Sequence, residues 1–107
     1  MKIEEFKNED SVILELEGRL DTNNSRELEE KIENLFEDEK YNIVLDFKNV
    51  SYVSSSGLRV LLGAQKKISA GGSEGKMVIK NPNEDTLEIF EITGFSNILN
   101  IEIKRKG

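Results

Sequence analysis

The sequence predicts an α/β fold, a mixed β-sheet packed against α-helices, in a single domain spanning residues 1–107, and three observations support it. Strand-like and helix-like apolar patterns alternate along the chain in the order ββαβαβαβ. Ile43-Val44-Leu45 is a continuous apolar run, as suits a strand covered on both faces. No repeat, low-complexity tract or Pro- or Ser-rich linker interrupts the pattern, and 107 residues suffice for a modest core without disulfide or metal.

Taken in order, Ile3 to Phe6 and Val12 to Leu16 read as two strands. Val12, Leu14 and Leu16 alternate with more polar neighbours, and Asn8 to Asp10 supply the turn of a hairpin. After Gly18, Arg19 to Asn24 reads as a polar turn. Leu28, Ile32, Leu35 and Phe36 then recur at the spacing of one helical face, with Asn24 and Glu27 resembling a capping box at its start. The run at Ile43 is the expected central strand. From Gly57 onward, Leu58, Leu61, Leu62, Gln65 and Ile68 mark a second helix, ending in the turn Gly71-Gly72-Ser73. Met77 to Ile79 is the next strand. Asn83, followed by Glu84 and Asp85, caps a third helix, Thr93-Gly94-Phe95 reads as its glycine C-cap, and Ile101 and Ile103 suggest a final edge strand.

Composition narrows function. The chain has no cysteine and no histidine, which removes disulfides, thiolate chemistry and the commonest general base and metal ligands. No metal site or cofactor is expected, and enzymatic activity is not. A formal net charge of −6 disfavours a nucleic-acid module, which needs a basic surface to displace counterions. The acidic start MKIEEFKNED has no apolar signal-peptide core, and no apolar run approaches the roughly 20 residues that span a bilayer, so the expected location is cytoplasmic. Lys104, Arg105 and Lys106 read as a short solvated tail. Protein partners are expected, with the domain itself a monomer because no long exposed apolar stripe is evident.

The segment Tyr41 to Gly63, YNIVLDFKNVSYVSSSGLRVLLG, is the most informative in the chain. It places Ser54, Ser55, Ser56 and Gly57 where a buried strand passes into an apolar helix. The first amides of a helix lack intrahelical acceptors and the macrodipole adds positive charge there, so a phosphate on a serine would be stabilised; serine is also a preferred N-cap. Gly57 serves close backbone approach or is an ordinary first-turn residue. Arg59 falls on an exposed first turn, free to meet a partner acid or simply solvated. Asp21, Thr22, Asn23 and Asn24 also follow a strand end, and two parallel strands would bring both loops to one sheet edge, where the earlier residues either cap and turn or join a partner surface.

Sharper enzyme motifs fail on their own chemistry. GGSEGKM at Gly71 to Met77 has Ala70 at the first glycine position of a phosphate-binding loop, Met77 where a hydroxyl is needed, and runs from helix to strand. Val53 occupies the first glycine position of a G-x-S-x-G elbow, and no histidine could deprotonate Ser55. Asp46 sits near a strand end as a receiver-domain phosphoacceptor would, without the adjacent acidic pair that binds Mg²⁺.

GRLDTNNSRELEEKI at Gly18 to Ile32, IVLDFKNVSYVSSSGLRVLLG at Ile43 to Gly63 and FEITGFSNILNI at Phe90 to Ile101 together resemble the STAS domain of bacterial anti-sigma-factor antagonists over nearly the whole chain. That resemblance implies a domain that binds an anti-sigma factor with a histidine-kinase-like ATPase fold and so releases a sigma factor. Phosphorylation by that partner turns binding off, and a PP2C-type phosphatase restores it. The family motif, Asp-Ser-Ser/Thr-Gly, aligns with Ser54, Ser55, Ser56 and Gly57, making Ser55 the expected acceptor, with Ser54 and Ser56 as alternates. Ser54 departs from the family by replacing its acidic residue. The position matched by Asp21 lies near the phosphorylation site and contributes to the partner surface in the family. The alternative is a STAS module that docks in a larger regulatory complex without being phosphorylated.

Overall fold

Five strands lie across one sheet in their order along the chain, β1-β2-β3-β4-β5. The computed structural model describes residues 1–71 and 75–103. Strand β1 (Lys2–Lys7) pairs antiparallel with β2 (Val12–Leu20), and β2, β3 (Asn42–Val53), β4 (Lys76–Lys80) and β5 (Asn100–Glu102) run parallel. Helices α1 (Ser25–Glu37), α2 (Ser55–Ala70) and α3 (Glu84–Ile92) make the three crossovers, and a 3₁₀ turn, Phe95–Asn97, precedes β5. Successive right-handed crossovers that step in one direction set their helices on one face of the sheet.

The burial pattern agrees with that arrangement. Val12, Leu14, Leu16 and Leu20 of β2 and Ile43, Leu45 and Phe47 of β3 join Leu28, Ile32, Leu58, Leu61, Ile68 and Phe90 from the helices in one apolar cluster. The intervening residues Ile13, Glu15, Val44 and Asp46 are only half-buried. Ile43 to Leu45 is central, as expected, but it is not covered on both faces, since Val44 is only half-buried; the hairpin forms with Phe6 opposite Ile13.

Three local expectations need correction. Arg19 and Leu20 belong to β2 and not to a turn, because parallel pairing with β3 continues to Leu20 opposite Val53. Helix α2 begins at Ser55, two residues before Gly57, and buries Ala64 where the periodicity placed Leu62, which is half-buried. No capping box forms at Asn24, whose side chain makes no cap hydrogen bond. Helix α2 ends where expected, at a turn beginning with Gly71, whose φ is −74°. The rest of that expected turn, Gly72 and Ser73, and the basic tail Lys104 to Lys106 lie outside the described residues.

Other punctuation holds. Asn83 Oδ1 accepts the Thr86 amide at 2.8 Å at the start of α3, while its Nδ2 donates to the Val50 carbonyl at 3.2 Å and so ties that helix start to β3. Gly94 adopts the left-handed conformation, φ 80°, that ends α3, with Phe95 packed against the core beyond it.

Candidate functional site

The site begins with strand register. Strand β3 carries two more residues than β2 over their shared ladder, with shifts between Glu15 and Glu17 and between Gly18 and Arg19. Such bulges bend a strand and increase its twist. Here they bring the C-terminal ends of β2 and β3 level, and the Ser54 amide donates to the Leu20 carbonyl at 2.8 Å. The loops that follow, Asp21 to Asn24 and Ser54 to Ser56, therefore leave the same sheet edge side by side. Thr22 Oγ1 and Ser56 Oγ lie 3.4 Å apart across the gap.

The three serines have different surroundings. Ser54 is the N-cap of α2 and only 9% exposed. Its backbone is extended and its Oγ accepts the Gly57 amide at 3.2 Å, which occupies the hydroxyl in holding the helix start. Ser56 is half-buried and faces Thr22. Ser55, the first helical residue, is exposed. Position alone thus distinguishes three identical side chains: one serves the fold, one faces the neighbouring loop, and one faces solvent.

Gly57 is a close-approach residue. A Cβ there would stand 2.7 Å from Leu20 Cγ and 3.1 Å from the Leu20 carbonyl oxygen. The first turn of α2 rests directly on the end of β2, so this glycine fixes the distance between the serines and the neighbouring loop. Arg59 lies one turn beyond Ser55, exposed.

The neighbouring loop is built on Asp21. Its Oδ1 accepts the amides of Asn23 at 3.0 Å and Asn24 at 3.3 Å, and its own amide donates to Asn24 Oδ1 at 2.8 Å. Asn24 Nδ2 donates to the Arg19 carbonyl, so Asn24 braces the turn instead of capping α1. Thr22 and Asn23 are exposed at the tip. Arg19, whose segment reads in the sequence as a polar turn, lies near the end of β2. Its guanidinium lies 4.3 Å from the centroid of the Tyr52 ring, and its Nε is 3.9 Å from Asp21 Oδ2. The sequence signal for that strand position is that Arg19 and Leu20 continue the polar and apolar alternation of Leu14, Leu16 and Glu17.

Chemically, this edge presents a nucleophile without a base. Asp21 is engaged by its own turn, and among the described residues no group of three or more His, Cys, Asp or Glu could hold a metal ion. Ser55 is exposed to an external donor, and among the described residues no side chain hydrogen-bonds to its hydroxyl. Among the described residues, no helix is long and apolar enough to cross a membrane.

Comparison with known proteins places this geometry in a wider group. The family model described as the STAS domain matches residues 2–106. The anti-sigma-B factor antagonist of Bacillus subtilis strain 168 is 31% identical over 101 residues, covering 94% of this chain and 90% of the relative. A solved structure of a candidate anti-sigma factor antagonist from Thermotoga maritima superposes with a TM-score of 0.85 at 25% identity, covering 97% of this chain and 87% of the other. The Bacillus cell fate determinant SpoIIAA in its phosphorylated form gives a TM-score of 0.76 at 20% identity, over 98% of this chain and 93% of that one, a likeness of fold. The mixed sheet with its three crossover helices is thus that of a known family, and the chain belongs to the STAS domain family.

Proposed function

We propose that this chain is an anti-sigma factor antagonist: it binds an anti-sigma factor, so freeing a sigma factor, and phosphorylation of Ser55 switches it off. The observation that carries this reading is the sorting of the serines. Ser55 is exposed at the first helical position, while Ser54 is buried as the cap. The name of the Bacillus subtilis relative, matched along nearly the whole chain, supports the antagonist role. The absence of histidine and cysteine supports a substrate of a kinase over an enzyme.

In this reading the partner is both target and kinase, with a histidine-kinase-like ATPase fold, and a PP2C-type phosphatase resets the switch. The binding surface comprises Asp21, Thr22, Asn23, Ser54, Ser56, Gly57 and Arg59. Ser54 and Gly57 contribute through the backbone course they impose, since both are buried. A phosphoserine adds about −1.5 to −2 charges. The start of α2 tolerates them because its free amides and dipole are positive, whereas a closely packed or acidic partner does not. The domain acts as a monomer; its large exposed apolar side chains, Phe6, Tyr52, Ile92, Ile98 and Ile103, are spread over β1, β3, α3 and the approach to and exit from β5.

Incubation with ATP, Mg²⁺ and an anti-sigma factor of the histidine-kinase-like ATPase fold from the same organism, followed by intact mass and peptide mapping, tests the proposal. A single phosphate on Ser55 is the expected result. Phosphate confined to Ser54 or Ser56, or none from a kinase active on another antagonist, overturns the assignment. The replacement of the family's acid by Ser54 favours the second reading, a docking module that is never phosphorylated. Stable binding to the ATPase with no transfer would select it.

A further inference from the structure

We propose that Arg59 is the internal counter-charge of a phosphate carried by Ser55, so that modification withdraws a cation from the exposed face of α2 while adding negative charge to it. This rests on Ser55 being the acceptor proposed above. Ser55 and Arg59 are four residues apart on one helix, both exposed, and therefore lie one above the other on the same face. The acidic partner would be N-terminal to the basic one, the more favourable order for such a pair. The guanidinium fork matches a phosphate in geometry as well as in charge.

Competition for Arg59 is low. It enters none of the ion pairs among the described residues, whereas Arg19 pairs with Asp21 and Arg26 with Glu30. Helix α2 contains no Asp or Glu along its whole length. Arg26 and Glu30 show the same four-residue spacing closing in α1, at 3.4 Å. From the neighbouring loop the charged groups are Asp21 and Arg19, which face each other at 3.9 Å. Unmodified, the outer face of α2 offers Arg59 and Lys66 and no acid, a surface suited to an acidic strip on the partner. After modification, the cation nearer the switch is engaged within the helix, and the same strip meets a phosphate.

The test needs no kinase. Phosphoserine is placed at position 55 by genetic code expansion, and its phosphate is titrated by ³¹P NMR in three backgrounds: otherwise wild type, Arg59→Gln and Lys66→Gln. Both substituted side chains are exposed, so the fold is retained, which far-UV circular dichroism checks. The second phosphate ionisation is expected about 0.3 pH unit lower, a twofold change in its constant, in wild type and Lys66→Gln than in Arg59→Gln. At ~1 M NaCl the difference should collapse. The helix N-terminus acts equally in all three, so the difference reports Arg59 alone. Equal values in the three backgrounds, or equal rises in both variants, overturn the proposal. A kinase that ignores Ser55 would instead sink the acceptor assignment and leave this result standing.

Discussion

Gly57 and Gly63 lie in the same helix, and replacing each with alanine should have opposite effects. In a helix interior, Gly→Ala gains roughly 0.5–1 kcal/mol from backbone entropy and propensity. At Gly63 nothing lies within 4 Å of the new Cβ, so that gain should appear nearly whole. At Gly57 the Cβ meets Leu20 Cγ at 2.7 Å, Leu20 Cδ2 at 3.0 Å and the Leu20 carbonyl oxygen at 3.1 Å. Leu20 cannot easily retreat: its side chain is fully buried and its carbonyl accepts the Ser54 amide. Overpacking of this kind costs about 1–3 kcal/mol, which outweighs the propensity gain and leaves a net loss of roughly 1–2 kcal/mol. For a domain of this size, thermal melting followed by circular dichroism should drop by about 4–8 °C for Gly57→Ala and rise by a few degrees for Gly63→Ala. A Gly57→Ala protein melting at or above the wild-type temperature would refute the close-approach account and return Gly57 to an ordinary first-turn residue.

Ser54→Ala removes the oxygen that accepts the Gly57 amide and should cost about 1 kcal/mol in urea denaturation, while Ser55→Ala should cost less than half of that. Ser55→Asp should leave stability nearly unchanged, because an acid in the first helical turn is favoured by roughly 0.3–1 kcal/mol, yet weaken binding to the anti-sigma factor at least tenfold by calorimetric titration. Ser55→Ala should bind as wild type does and resist inactivation by ATP; equal affinities for all three proteins would place the serine loop outside the interface. On β1, the hydrogen bond from Lys31 Nζ to Glu5, 2.9 Å, holds the Glu5 carboxyl below its usual range, opposed by partial burial and assisted by Lys7. A lowered folded-state pKa means stability that is present above the unfolded value near 4.5 and lost as pH falls through the folded one. Glu5→Gln should therefore remove up to about 0.5 kcal/mol at pH 7 and flatten the acid limb of the stability curve below pH 4.5.

The sequence disclosed those features whose cause is local. Leu28, Ile32 and Leu35 fall on one helical face because a helix repeats every 3.6 residues whatever surrounds it, and all three are buried. Asn83 caps α3 and Gly94 ends it because capping chemistry and left-handed backbone are properties of those residues. The errors arose where a distant partner decides. Arg19 and Leu20 look like turn residues until β3 pairs with them, and the two extra residues of β3 cannot be counted without knowing the β2 register. Asn24 and Glu27 have the spacing of a capping box, but Asp21 and the Arg19 carbonyl compete for the Asn24 side chain and win it. Ala64 faces inward in place of the larger Leu62 where α2 passes Ile32 and Phe36 of α1, a choice set by helix packing and not by hydrophobicity. For the site, the juxtaposition of the two loops was readable from parallel connectivity alone; which of three adjacent serines faces solvent was not.

That last distinction gives the bulged ladder of β3 a role in addressing. Ser54, Ser55 and Ser56 are chemically interchangeable, so whichever enzyme meets this edge receives its instruction from phase, the point in the inside-outside alternation at which the strand stops and the helix begins. The phase is set upstream, where β3 runs two residues ahead of β2 between Asp46 and Val53. Deleting one residue there would move every later side chain by one step, since alternation along a strand has period two. The hydroxyl now spent on the helix start would then turn outward, and a different serine would take over the cap. On the proposed reading, the address of the switch is thus written within the strand, several residues before the loop that displays it.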